Sequence, residues 1–141
     1  MENLFSIEDK VIIITGAGRG IGYQLAVGLA KYSAIIYSLD KKFTKKIPKN
    51  LSSNIIEIKC DITNYNKVKQ VFKKIFVKEK RIDVLINNAA YQGNNKIRKT
   101  SFEELSLRDW NKAISVNLTG IFLICQQVGK IMKKQGTGNI I

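Results

Sequence analysis

Histidine is absent from this sequence, proline occurs once, cysteine twice, and acidic residues are fewer than half as many as basic ones. Without histidine, and with no Cys-x-x-Cys spacing, a structural zinc site has no ligand set to draw on, so no metal is expected. Cys60 and Cys125 lie far apart, each inside an apolar stretch, and read as free thiols buried in a reducing compartment. The opening Met1-Glu2-Asn3-Leu4-Phe5 has neither the basic nor the apolar region of a signal peptide. Apolar runs such as residues 11–14 are far too short to span a bilayer. The expected setting is therefore the cytoplasm, with no membrane partner.

What is present is the profile of one globular domain over residues 1–141, with 45% hydrophobic and 25% charged residues and enough length to bury a core. The formal net charge of +13 raises a nucleic-acid reading. The lysines, however, are spread along the chain, and neither an RNA-binding signature nor a helix-turn-helix pattern accompanies them. A solvated basic surface accounts for them, and no nucleic-acid partner is expected. There are no repeats and no low-complexity tract.

Apolar patterning alternates strand and helix. Val11–Thr15 is a continuous β-branched run, as in a parallel strand buried on both faces, and residues 34–39 form a second one ending at Asp40. Between them residues 21–31 have helical spacing at Ile21, Leu25 and Leu29. Ile55–Lys59 alternates, which suits an edge strand. Thr63 or Asn64 can cap a helix with apolar positions at Val68, Val71, Phe72, Ile75 and Phe76. Residues 84–87 make a fourth strand. A long helix should follow Ser106, whose Ser106-Leu107-Arg108-Asp109 resembles a capping box with Asp for Glu. Its stripe is Trp110, Ala113, Ile114, Leu118, Ile121, Cys125 and Val128, and Gly136 and Gly138 end it. Asn139-Ile140-Ile141 reads as the opening of a fifth strand. The segment 41–54 holds the only proline, Pro48, and should contain at most a turn or two of helix. The expected fold class is α/β: a Rossmann-type, doubly wound parallel sheet of order 3-2-1-4-5, reaching only the start of strand five.

Chemistry is concentrated at the strand ends. Thr15-Gly16-Ala17-Gly18-Arg19-Gly20-Ile21-Gly22 joins a buried strand to a helix, where glycines admit a pyrophosphate to the backbone and the helix N-terminus offers free N–H groups. The spacing is T-G-x-x-x-G-x-G rather than the general G-x-G-x-x-G. With it, the chain resembles the short-chain dehydrogenases/reductases along essentially its whole length. Thr15, Gly16, Arg19, Gly20, Ile21 and Gly22 resemble the family's cofactor motif. Cys60-Asp61-Ile62-Thr63 resembles the segment whose Asp (Asp61) and following residue (Ile62) contact adenine. Asn87-Asn88-Ala89-Ala90 resembles its N-N-A-G, with Ala90 for glycine, a methyl that could crowd the backbone near the cofactor. Val116-Asn117-Leu118 resembles the segment that holds the Asn of the catalytic tetrad. The opening Leu4-Phe5-Ser6-Ile7 and Gly28-Leu29-Ala30-Lys31-Tyr32 look like the gluconate 5-dehydrogenase branch.

The resemblance implies hydride transfer between a nicotinamide cofactor and an alcohol or carbonyl substrate, with a tyrosine as general acid/base and a lysine lowering its pKa. It further implies a sugar acid or polyol as substrate class and a homo-oligomer for the full-length protein. The family's Ser and Tyr-x-x-x-Lys would lie beyond Ile141. Tyr37 to Lys41 and Tyr65 to Lys69 match the string, but both precede Asn87-Asn88 on the wrong elements, and they are rejected as catalytic. Asn117 is placed on the buried stripe of the long helix, where its amide either holds an ordered water or docks the helix. Asp40 can accept hydrogen bonds from the adenosine ribose and repel a 2′-phosphate, which favours NAD. Lys41, Lys42 and Arg19 stand against it, each able to pair with a phosphate. The expected cofactor is NAD, with NADP second. Two other readings remain: a catalytically inactive dinucleotide-binding fragment, and a basic nucleic-acid-binding protein on a dinucleotide fold.

Overall fold

Residues 5–141 are described by the structure, a computed structural model; residues 1–4, which carry much of the signal-peptide reading, lie outside them. Strands β1 (Val11–Thr15), β2 (Ile35–Asp40), β3 (Ile55–Lys59), β4 (Val84–Ile86) and β5 (Asn139–Ile140) form one sheet in the order β3-β2-β1-β4-β5. Every neighbouring pair is parallel. The expected topology is the observed one.

Continuous burial of β1 comes from helices on both faces. Val11 and Ile13 join a core with Val68, Phe72, Ile75, Ile124 and Val128, which come from α2 (Tyr65–Glu79) and the last helix. Ile12 and Ile14 join the opposite core with Ala26, Ala30 and Leu51 under α1 (Gly20–Ala30). At the edge, β3 alternates buried with half-buried and exposed positions, as its sequence does.

Two helix faces differ from expectation. In α1 the fully buried positions are Gly22, Ala26 and Ala30; Leu25 and Leu29 pack half-buried against the same core, as expected, whereas Ile21 is 74% exposed. Small residues win there because the helix must lie close to the strand that feeds it. The helical run Leu107–Gln135 is continuous, but it is not one α-helix. After a five-residue α3 (Asn95–Lys99), in a region where the sequence suggested no element, come α4 (Leu107–Ile114), a π-helical turn over Ser115–Gly120, and α5 (Ile121–Gln135). A π turn inserts one residue and rotates the remainder of the helix by about 100° about its axis. The stripe read at constant period therefore breaks: Ile124, Val128 and Met132 are buried, but Trp110 is 48% and Leu118 63% exposed. By length and composition alone this run could also cross a membrane, a property that the core helices of globular domains share.

Candidate cofactor site

The C-terminal ends of β1, β2, β3 and β4 meet along one edge, with the order of the sheet diverging on either side of β1. After Thr15 the chain turns at Gly16 (φ +69°), whose N–H donates to the Leu39 carbonyl at 2.7 Å. A Cβ on Gly16 would stand 2.7 Å from Ala89 Cα, and one on Gly22 would overlap the Gly16 carbonyl oxygen. These two positions are glycine for want of room. Gly20 is different: it has φ +57° and open space where a side chain would be.

The start of α1 explains that opening. Arg19 occupies the N-cap in an extended conformation, contributes no side-chain hydrogen bond, and no acidic residue lies in the first turn. Every other α-helix preceded by a loop is capped by a side chain, from Asn64, Asn94 and Ser106. The first-turn N–H groups of α1 thus lack a side-chain acceptor, and the helix dipole adds partial positive charge at the same place. A pyrophosphate fits this cradle.

Thr15 and Asn88 build the cradle's wall. The Thr15 hydroxyl accepts the N–H groups of Asn88 and Ala89, both at 3.1 Å, and donates to the Ile86 carbonyl. The Asn88 amide donates to the carbonyls of Thr15 (3.0 Å) and Gly16 (3.1 Å). Both side chains are therefore committed to joining β1 to β4. Asn87 donates to the Ile141 carbonyl at 3.2 Å and to Cys125 Sγ at 3.5 Å, while its Oδ1 is buried without a partner among the described residues. Ala90 is exposed and its φ is not positive, so the backbone there accepts a side chain without strain.

On the other side of the cradle, Asp40 Oδ2 accepts the Gly18 N–H at 2.8 Å and its Oδ1 the Lys42 N–H at 3.2 Å. Asp61 pairs with Lys41 at 2.8 Å and accepts both the N–H and the hydroxyl of Thr63. Burial pushes the Asp61 carboxyl up, but the Lys41 pair and the Thr63 hydrogen bonds outweigh it and hold the group below the usual carboxylate range. The Ile62 side chain is in the core and packs on Gly120, which leaves only its backbone for a ligand.

Asn117 is exposed, not buried as the stripe suggested. The π turn carries it to the loop after β4, where its Oδ1 accepts the Tyr91 N–H at 2.7 Å and its Nδ2 donates to the Tyr91 carbonyl at 3.0 Å. Lys112 lies over the Tyr91 ring at 5.6 Å. The amide is thus satisfied by backbone and fixes the loop that continues from Ala89-Ala90.

The sequence profile described as short chain dehydrogenase matches residues 10–141. The chain belongs to the short chain dehydrogenase family. It is 36% identical over 135 residues to the 3-oxoacyl-[acyl-carrier-protein] reductase FabG of Buchnera aphidicola, covering 94% of this chain and 53% of that one. It is 34% identical to the 5-keto-D-gluconate 5-reductase of Escherichia coli K12, covering all of this chain and 56% of that one. A solved structure described as ElxO with NADP bound superposes with a TM-score of 0.85 at 28% identity, covering 94% of this chain and 54% of the other. The chain spans about half the length of the curated relatives it matches.

Within this short chain dehydrogenase the two chance Tyr-x-x-x-Lys strings are accounted for otherwise. Tyr37 is buried and donates to Glu79 at 2.5 Å; burial first, then Glu79, push its hydroxyl well above the ordinary tyrosine range, and Lys41 is engaged with Asp61. Tyr65 is exposed at the first position of α2. Sequence reasoning missed Gly18, Thr44 and Tyr91. Gly18 had a signal, a glycine where the motif accepts any residue; Thr44 and Tyr91 act through contacts 26 positions away in sequence and had none.

Proposed function

We propose that this chain is the cofactor-binding part of an NAD(P)-dependent oxidoreductase that passes hydride between a nicotinamide and an alcohol or carbonyl carbon of a small molecule. The observation that carries this is the uncapped start of α1 beneath an open Gly20, flanked by Asp40 and Asp61 at the ends of β2 and β3. When bound, the dinucleotide supplies the hydride carrier. The chain's own residues take the rest of the binding: first-turn N–H groups on the pyrophosphate, Asp40 at the ribose, the Asp61-Ile62 segment at the adenine, and Asn117 fixing the loop beyond β4.

The sequence favours NAD; we take NADP to serve at least as well. Both Asp40 oxygens already accept backbone N–H groups, which spreads the carboxylate's charge, while Arg19 and Lys42 form no ion pair among the described residues. The NADP in the ElxO structure supports the same reading. For the substrate we favour a sugar acid or polyol, on the resemblance to the gluconate branch and the 5-keto-D-gluconate relative. We place the protein in the cytoplasm without a nucleic-acid or membrane partner. The exposed Leu107, Trp110, Leu118 and Phe122 on one helical run support self-association of the full-length protein. Titrating NADH and NADPH by nicotinamide fluorescence tests the core of this proposal. Saturable binding of at least one, displaced by the oxidised form, is expected; binding of neither overturns it.

A further inference from the structure

The glycine loop is held from outside as well as from β1. Gly18 is buried, its N–H donates to Asp40 Oδ2 at 2.8 Å, and its carbonyl accepts the Thr44 N–H at 3.1 Å and the Thr44 hydroxyl at 3.4 Å. Asp40 also accepts the Lys42 N–H, so one carboxylate bridges the two loops. One helical turn on, the Tyr23 hydroxyl donates to the Lys46 carbonyl at 2.9 Å. The fit leaves no slack: a Cβ on Gly18 would overlap the Lys42 carbonyl oxygen and stand 3.0 Å from Asp40 Oδ2. The segment from Lys41 to Lys46 has no helix or strand of its own to hold it.

We infer that Asp40 is a positioning residue, which clasps the loop after β2 to the glycine loop through Gly18 and so sets the shape of the adenosine side of the site for either dinucleotide. This rests on the cofactor reading above and deepens it. A carboxylate that served only as a charge filter would need no main-chain partner, and one donor on each oxygen still leaves a lone pair for the ribose. Here each oxygen is held by a main-chain donor, and hydrogen bonds to a charged acceptor are the strong ones. Removing the side chain releases the buried Gly18 N–H and lets both loops move, which harms NADH and NADPH together. Asparagine keeps one oxygen to accept the Gly18 N–H, while its Nδ2 is a donor and cannot accept the Lys42 N–H.

Three substitutions in the full chain, each read in two ways, test this. Without cofactor, limited trypsin cleavage at the lysines 41, 42, 45 and 46 reports the clasp; with cofactor, titration of NADH and NADPH reports the site. Asp40→Ala is expected to speed cleavage there and to weaken both cofactors on the order of tenfold, the loss that about 1.4 kcal/mol represents. Asp40→Asn keeps the Gly18 bond and loses the one from Lys42, so it is expected to be cleaved at a rate between those of the unaltered chain and Asp40→Ala, and to bind NADPH more tightly than Asp40→Ala does. Tyr23→Phe, a mild change at an exposed hydroxyl bond, is expected to speed cleavage at Lys45 and Lys46 with the fold intact. The inference is overturned if Asp40→Ala leaves the cleavage pattern unchanged and binds NADPH more tightly, since Asp40 would then act by charge alone. It is equally overturned if Asp40→Asn is as open to trypsin as Asp40→Ala. Should the unaltered chain bind neither cofactor, the proposed function falls, while the cleavage rates still decide the clasp.

Discussion

Helix α2 begins at Asn64, whose side-chain oxygen accepts the Lys67 N–H at 3.0 Å, and α4 begins at Ser106, which accepts the Asp109 N–H at 3.1 Å and bonds the Asp109 carboxylate in return. Helix α1 begins at Arg19, which gives its first turn nothing. All three starts carry the same unsatisfied N–H groups and the same dipole. Two of them are closed by a neighbour in sequence, and a cap of this kind stabilises by about 1 kcal/mol. The third forgoes that stabilisation, and on the function proposed above its donors serve a bound dinucleotide. On that reading the difference separates residues that hold the fold from residues that hold a ligand, and it can be probed from either side.

Filling the glycine loop should have the largest effect. Gly22→Ala places a methyl against the Gly16 carbonyl oxygen, a backbone atom that cannot rotate away. Overpacking of this kind costs about 1–3 kcal/mol, and the relief available is to lift α1 from β1 and deform the cradle. NADH and NADPH affinity should fall tenfold or more on the order set by that cost, beside a lowered urea midpoint. An unchanged titration would mean that the cradle is not where the dinucleotide sits. The next largest effect should come from closing α1 as the other helices are closed. Arg19→Asp supplies a capping oxygen and should raise stability by up to about 1 kcal/mol, while its charge repels the pyrophosphate and weakens both cofactors. Arg19→Ser should show the gain in stability with a smaller loss of binding. If neither substitution stabilises the apo chain, α1 is not waiting for an anion.

How far these features are legible in the sequence depends on whether their cause is local. The sheet order and the elements of its first half arise from runs, alternation and turn residues within a few positions of each other, as in Val11–Thr15 and Ile55–Lys59. The glycines are legible from spacing, because the need for room at Gly16 and Gly22 is met by their own missing side chains. Asn117 is legible as a residue but not as an environment. A constant helical period puts it inside, and the π turn at Ser115–Gly120, which no local composition announces, puts it against Tyr91. Asp40 is likewise legible for its charge, while its bond to Gly18 depends on how a loop 22 positions away folds back. Residues whose role lies in tertiary contact stay unseen until the chain is folded.

A smaller effect is expected on the fold side of the comparison. Asn64→Ala should lower stability by about 1 kcal/mol through loss of the α2 cap and leave cofactor affinity unchanged, because that helix start points its donors at its own side chain. Chemical denaturation and an NADH titration on one sample check both halves. A loss of affinity matching the loss of stability would erase the distinction between the two helix starts.

The smallest effect should be electrostatic, at Asp61, which begins the turn that leads into Asn64. Its carboxylate is held by Lys41 and by two bonds from Thr63, and its folded pKa lies below the ordinary value. A lowered folded pKa means that the unfolded chain takes up the proton first as the solution is acidified. The stabilisation from Asp61 is therefore complete above the unfolded value near about 3.9, and is lost as pH falls from there through the lower folded value. Lys41 is largely exposed, so the pair is screened and adds at most about 1 kcal/mol. Urea midpoints measured from about pH 5 down to about pH 2 should fall less steeply for Asp61→Asn than for the unaltered chain, and high salt should narrow the gap between them. Identical slopes would leave Asp61 free of its partners in solution. It would then be available to adenine, and the start of α2 would share with α1 the role of waiting for a ligand.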